Sequence, residues 1–221
     1  DLKDAEQYYR AILDRSPGHA DASVALARLS LASGAVEPAI SLLEESVEVN
    51  PSASAPAALL VQALLLVGRR DDALRAAQVL ATKLPSNAEA QLTLARATLG
   101  GGDVVRARYL YERLVAADTA AIVARLELAR LNLSAGQTRA AKDWFEEVLD
   151  LEPSNLTAQA GLGDLAVIER RYEDALRIGR DLAATDPDHA AGYLIQGAAH
   201  LRLEDAVSAL AAYDKAFQIS P

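Results

Sequence analysis

The chain has 221 residues with 31 acidic and 22 basic side chains, so its formal net charge at pH 7 is −9. This charge argues against a nucleic-acid partner, because phosphate binding depends on Lys and Arg. The absence of cysteine excludes disulfides and thiolate metal sites. The longest apolar run, residues 57–67, is interrupted by Gln62 and is too short to span a bilayer. We therefore expect no membrane span in this segment.

Alanine recurs along the chain at a fixed spacing of 34 residues. The positions are Ala5, Ala39, Ala73, Ala107, Ala141, Ala175 and Ala209. Proline follows most of these alanines by twelve residues, at Pro17, Pro51, Pro85, Pro153, Pro187 and Pro221, and Thr119 stands in the remaining place. A fixed period of this length predicts a repeat array whose units stack on their neighbours.

In chain order, residues 1–19 are predicted to hold the second helix of a partial repeat. Six windows follow, 20–53, 54–87, 88–121, 122–155, 156–189 and 190–221, and each is predicted to form a hairpin of two helices. Position 15 of the window ends the first helix and is Gly34, Gly68, Gly102 and Gly136 in four windows. Glycine adopts the left-handed conformation without a Cβ penalty. Arg170 and Glu204 replace it in the last two windows, so those turns should differ or carry strain of roughly 1 kcal/mol.

Helix starts are also indicated by local sequence. Pro38 and Pro56 fall in predicted first turns, where a missing amide donor costs little. Ser86 followed by Glu89 predicts a capping box at the start of the third hairpin. Either Asp118 or Thr119 is expected to cap the next one.

These positions resemble the tetratricopeptide repeat (TPR) signature, in which Leu-Gly precedes an Ala slot, an aromatic residue follows four residues later and Pro closes the unit. The matching residues are Leu162 with Gly163, Ala5 with Tyr9, Ala107 with Tyr111, Ala141 with Phe145, and Ala209 with Tyr213. The Trp of the signature at position 4 is absent. The resemblance implies an all-α solenoid, a TPR superhelix of one preceding helix plus six helical hairpins, as a single array over residues 1–221.

The array begins in the middle of a repeat, so we expect it to be part of a longer array. Tyr8 and Tyr9 at the front, with Tyr213 and Phe217 at the back, lie where a neighbouring helix would cover them. Terminal repeats ordinarily carry polar capping faces. The sequence therefore predicts self-association through uncapped ends.

Enzymatic motifs are absent from the sequence. His19 and His189 occupy equivalent places five repeats apart, and His200 belongs to a first helix, so the three do not converge. Glycines 100–102 lack the Lys-Ser/Thr of a phosphate loop, and no Gly-x-Ser-x-Gly elbow is present. We predict no catalytic residues, no cofactor, no metal site and no enzymatic activity.

The TPR resemblance implies that first helices line a concave groove, with positions 2, 5, 6, 9, 12 and 13 facing into it. The candidate groove residues on those positions are Arg28, Gln62, Leu92, Arg96, Leu126, Glu127, Arg130 and Asp164. An arginine row in an apolar trough predicts a protein or peptide partner with acidic and apolar side chains. Glu127 lies three residues before Arg130 and can neutralise it within the same helix. The carboxylate clamp that some TPR proteins use for chaperone tails is not matched, since no Asn occupies positions 2, 5, 6 or 9.

Residues 26–34 (LARLSLASG) and 186–202 (DPDHAAGYLIQGAAHLR) also resemble the long bacterial TPR arrays of exopolysaccharide and exosortase (PEP-CTERM) systems. That resemblance implies a scaffold in the bacterial periplasm or cell envelope, with the cytoplasm as the alternative. The predicted function is a non-catalytic protein interaction scaffold. The alternative is a regulatory or secretion-complex module of a larger chain that carries an enzyme, barrel or lipid anchor elsewhere.

Overall fold

The structure, a computed structural model, describes residues 2–118 and 121–220, and within them it contains thirteen α-helices and no strand. Thr119 and Pro221 of the proline pattern lie outside the described residues. The helices are α1 (Leu2–Arg15), α2 (Ala20–Ala32), α3 (Val36–Val49), α4 (Ser54–Leu66), α5 (Arg70–Lys83), α6 (Ala88–Gly100), α7 (Val104–Ala117), α8 (Ile122–Ser134), α9 (Thr138–Leu151), α10 (Leu156–Ile168), α11 (Tyr172–Thr185), α12 (Ala191–Arg202) and α13 (Ala206–Ile219).

The chain divides into two compact units, residues 1–117 with α1–α7 and residues 118–221 with α8–α13. Helices α2, α4, α6, α8 and α10 begin at the first residue of their windows, and α12 begins one residue later. Consecutive helices within each unit pack on one another as hairpins. The predicted all-α hairpin architecture is therefore confirmed. None of the described helices is long and apolar enough to cross a membrane.

The turns between the helices of a hairpin share one conformation in both units. Gly68 has φ 77° and Gly136 has φ 72°, while Arg170 and Glu204 take φ 61° and 62° at the equivalent position. The hydrogen bond is kept as well, since the amide of Arg171 donates to the Ala166 carbonyl at 2.8 Å, as Arg69 does to Leu64. The sequence predicted that these two turns would either differ from the glycine turns or carry strain. Their conformation is the same, so they carry strain, since a side chain in this region costs roughly 1 kcal/mol.

Helix caps correct one prediction. Asn87, not Ser86, caps α6, and its side-chain oxygen accepts a hydrogen bond from the Ala90 amide at 2.9 Å. The capping residue must directly precede the first helical residue, and Ser86 lies one residue too early. Pro38 and Pro56 lie in the first turns of α3 and α4, as predicted.

The start of α8 differs from the start of α6. Its N-cap is Ala121, which provides no side-chain cap, so Asp118 is not the N-cap residue. The second residue predicted for this role, Thr119, lies outside the described part of the chain.

The recurring alanines lie at the contacts between helices. Ala39, Ala73, Ala107, Ala141 and Ala175 have no exposed surface. A small side chain here lets the helix axes approach closely, so that larger residues interlock around the contact. In the second unit the ring of Phe145 lies over Gly161, where an added Cβ would overlap it. A large residue on one helix is thus matched by glycine on the helix facing it.

Candidate partner-binding groove

The first unit contains a cavity of about 640 Å³ that is lined only by the first helices α2, α4 and α6. Its lining residues are Val24, Arg28, Ser54, Ala55, Ala58, Leu59, Val61, Gln62, Leu65, Glu89, Thr93 and Arg96. Most of them occupy the window positions 2, 5, 6, 9 and 12 that were predicted to face the groove. The structure therefore brings three predicted residues, Arg28, Gln62 and Arg96, to one cavity.

The cavity combines an apolar floor with a charged rim. Val24, Ala58 and Leu65 supply half-buried aliphatic surface to the lining, and the side chains of Arg28 and Arg96 are exposed. Neither arginine side chain makes a hydrogen bond or ion pair with any described residue, so both guanidinium groups are available to a ligand. An unpaired guanidinium offers planar donors that match a carboxylate bidentately.

Three polar groups complete the lining. Gln62 lies on α4, between the helices that carry the two arginines, and its exposed amide can donate or accept hydrogen bonds. Glu89 and Thr93 on α6 also line the cavity but were not among the predicted site residues. They occupy positions 2 and 6 of the window, which belong to the face predicted to line the groove, so their positions could have identified them from the sequence. With two cations and one anion, the lining is positive in a protein of net charge −9.

Leu92 is half-buried on α6 and is not part of the cavity lining. Its position 5 is the same as that of Val24 and Ala58, which do line the cavity. Two of these three position-5 residues of the first unit therefore line the cavity.

The corresponding residues of the second unit are arranged differently. Arg130 pairs with Glu127, with 3.5 Å between Nη1 and Oε1, so its charge is partly neutralised within α8. Leu126 is 9% exposed and packs with Phe145 and Leu165, which places it in the core and not on an open groove surface. The Asp164 side chain is exposed to solvent, but neighbouring protein atoms partly desolvate its carboxyl group. This desolvation raises the pKa of the carboxyl.

A second, shallower cavity of about 440 Å³ in the first unit is lined by charged groups that, except for Glu48, pair with one another. Arg69 Nε lies 2.6 Å from Asp72 Oδ2, and Arg75 also pairs with Asp72. The hydrogen bond from Arg69 lowers the pKa of the Asp72 carboxyl. Because both arginines of this lining already have carboxylate partners, this cavity offers less to an acidic ligand than the cavity lined by Arg28 and Arg96 does.

The histidines have structural contacts in this fold. His19 Nδ1 accepts a hydrogen bond from the Ala22 amide at 3.3 Å, and His189 Nδ1 accepts one from Ala191 at 3.2 Å. His200 Nδ1 lies 3.4 Å from an Asp205 carboxylate oxygen. Among the described residues, no three His, Asp or Glu side chains are grouped so that they could hold a metal ion.

The repeat positions, hairpins and groove define a helical repeat protein of the protein-interaction class. Models of the tetratricopeptide repeat family match residues 1–65, 58–122, 126–188 and 170–221. The chain therefore belongs to the tetratricopeptide repeat family. Proteins of this family are generally scaffolds for protein interaction.

Three relatives illustrate the range of proteins that resemble this chain. The Hsp70-Hsp90 organizing protein of Triticum aestivum is 38% identical over 88 residues, which cover 40% of this chain and only 15% of that protein. The crystal structure of the APC/C hetero-tetramer Cut9-Hcn1 has a TM-score of 0.76 at 16% identity, covering 100% of this chain and 44% of that one. YrrB, described as a TPR protein with an unusual peptide-binding site, has a TM-score of 0.52 at 20% identity, covering 81% and 92%. At these identities the two structures show the fold alone.

Proposed function

We propose that this chain is a non-catalytic scaffold whose first unit binds a peptide segment with acidic and apolar side chains. One observation carries the proposal: Arg28 and Arg96 lack partners among the described residues and flank an apolar floor in the same cavity. Carboxylates of the segment would pair with the two guanidinium groups, and an apolar side chain between them would cover Ala58 and Leu65. Gln62 would hydrogen-bond the peptide backbone.

The energetics favour recognition by charge and burial together. A hydrogen bond to a charged group contributes about 1.5–3 kcal/mol, and apolar burial adds about 25 cal/mol per Å². The names of the relatives agree with this class of function, since one is a chaperone organizing protein and another has a peptide-binding site. The missing Asn of the chaperone clamp directs the proposal toward an internal acidic segment and away from a chaperone tail.

Fluorescence anisotropy with a labelled synthetic peptide of alternating Glu and Leu tests this groove. We expect binding to the wild-type protein and no binding of the matched peptide with Lys in place of Glu. Arg28→Glu combined with Arg96→Glu should weaken binding about a hundred-fold, because two charge-assisted contacts become repulsive. Arg139→Glu with Lys215→Glu is the control. Those exposed residues lie outside the groove, and the substitution changes the net charge equally, from −9 to −13.

Equal weakening by both double variants would show a general effect of charge and would contradict the groove. Unchanged binding in the Arg28 and Arg96 variant would contradict it as well. Helicity measured by far-UV circular dichroism should be the same in all three proteins, because all four side chains are exposed.

The wider context is also a proposal. A single array over residues 1–221 within a longer one, self-association through uncapped ends, and a role in bacterial envelope or exopolysaccharide assembly remain predictions from the sequence pattern and the family resemblance. Fractionation of source cells with an antibody against the chain tests the location. Recovery in the cytoplasmic fraction alone would contradict the envelope assignment.

A further inference from the structure

The outward face of α7 in the first unit exposes apolar side chains. Val105 is 81% exposed and Tyr109 is 58% exposed, and they lie one helical turn apart. The equivalent positions of α3 are Glu37 and Ser41. No residue of α7 lines the groove, so this face is a separate surface. An exposed aromatic and a branched aliphatic residue side by side are typical of protein contact surfaces.

Two arginines border this apolar pair. Arg113 lies with its guanidinium carbon 6.0 Å from the centroid of the Tyr109 ring, and Arg106 lies next to Val105. Neither side chain pairs with a carboxylate of the described residues. On other second helices, Arg75 and Arg177 pair with aspartates one turn away. The α7 face thus combines apolar surface with unsatisfied positive charge.

The complementary surface is present in the same unit on α3. Glu45 and Glu48 are exposed, and neither carboxylate pairs with a described residue. Val49 follows them and is 57% exposed. Residues 45, 48 and 49 lie on one side of the helix, because side chains three and four apart are neighbours.

We propose that the α7 face of one copy docks on the α3 face of a second copy, with the two helices antiparallel. In one register Val105 meets Val49, Arg106 meets Glu48, and Tyr109 can donate its hydroxyl to Glu45. The sequence numbers of each pair sum to the same value, as antiparallel helices of equal rise require. All three contacts therefore form together, one apolar and two polar.

This association is weak and sensitive to salt. Exposed ion pairs contribute little individually, and copies of a protein with net charge −9 repel one another at long range. Because the donor and acceptor faces differ, the contact is heterologous. It extends into a chain unless two copies exchange both faces.

Sedimentation velocity between about 10 µM and about 1 mM protein in moderate salt tests the proposal. We expect the mean mass to rise with concentration. Arg106→Glu with Arg113→Glu should weaken association about ten-fold, and so should Glu45→Lys with Glu48→Lys. Arg139→Glu with Lys215→Glu is the control, because neither residue lies on the α7 or α3 face. Its mean mass at a given concentration should be higher than that of either charge-reversed variant.

Mixing the two charge-reversed proteins gives the decisive result. Each protein alone brings together an α7 face and an α3 face of like charge. In the mixture, the acidic α7 face of the two-arginine variant can meet the basic α3 face of the two-glutamate variant, which restores opposite charges across the contact. A species containing both proteins should therefore form.

Two results would overturn the proposal. The first is a monomer at every concentration of the wild-type protein. The second is association that survives both charge reversals but is lost with Tyr8→Ser and Phe217→Ser, because that result would place the contact at the ends of the chain.

Discussion

The two units use the same 34-residue frame but differ at position 9 of the window. In the first unit, Arg28 and Arg96 have no partner among the described residues and share a cavity with Gln62. In the second unit, Arg130 is paired with Glu127, and the next equivalent residue is Asp164. The same position of the repeat therefore carries an unpaired charge in one unit and a paired one in the other, because the neighbouring residues decide whether a charge is available.

The units also differ in the residues that occupy equivalent positions of the turns and of the core. Every hairpin turn of the first unit has glycine at its left-handed position, whereas in the second unit Gly136 is followed by Arg170 and Glu204. Phe145 in the second unit packs against a glycine, whereas Leu43 in the first packs in a cluster rich in leucine. Stability and binding should therefore respond differently to substitutions in the two units.

The largest effect is expected from removing the Phe145 ring. Phe145→Ala should lower the free energy of unfolding of the second unit by about 3–5 kcal/mol, because it leaves a cavity over Gly161. The single tryptophan, Trp144, reports on this unit in a urea titration. Gly161→Ala should cost less in the Phe145→Ala background than in the wild type, because the ring that a new Cβ would strike is gone. Additive costs would show that the two residues do not share this contact.

The next effect concerns the strained turns. Arg170→Gly and Glu204→Gly should each stabilise the second unit by about 1 kcal/mol, because glycine accepts positive φ without a Cβ penalty. The reverse change in the first unit, Gly68→Arg, should destabilise it by a similar amount. Urea titrations followed by circular dichroism measure both changes. A loss of stability on introducing glycine in the second unit would contradict the strain.

A smaller effect is expected on binding when Arg130 loses its partner. In a protein that already carries Arg28→Glu and Arg96→Glu, Glu127→Gln should raise affinity for the Glu-Leu peptide a few-fold, because it removes a competing carboxylate. Anisotropy measures this change. If adding Arg130→Gln removes the gain in affinity, then Arg130 binds the acidic peptide once Glu127 no longer pairs with it. If the gain persists, Arg130 is not its cause.

The smallest expected effect is a difference between the units in how their stability depends on pH. Desolvation raises the pKa of Asp164, so the folded chain holds that proton more tightly and stability falls as pH rises above the ordinary carboxyl value of about 3.9. The hydrogen bond from Arg69 lowers the pKa of Asp72, so its contribution is present above that value and is lost as pH falls below it. Asp164→Asn should remove the first dependence, and Asp72→Asn should remove the second. Thermal unfolding across a pH series measures both slopes, and slopes of the same sign would contradict this assignment.

Much of the fold follows from periodicity. The alanine spacing predicted the window in which α2, α4, α6, α8 and α10 begin, because identical helix contacts recur with identical spacing. The groove face was predictable for Arg28 and Arg96 because residues a helical turn apart share a side.

The errors of sequence reasoning were local. Asn87 was missed as a cap because Ser86 and Glu89 formed a plausible box one residue away. Leu126 was assigned to the groove, but it packs against Phe145, and periodicity alone does not separate a groove edge from a core edge.

The amino-acid sequence by itself determined the repeat, the hairpins and the turn positions. These features depend on neighbours within a few residues or on a spacing that recurs along the chain. Only the tertiary structure decided that Arg28 and Arg96 are unpaired in one cavity and that Leu126 is buried in the core of the second unit. The physical reason is that burial and ion pairing depend on distances between side chains of packed helices, which the periodic pattern does not specify.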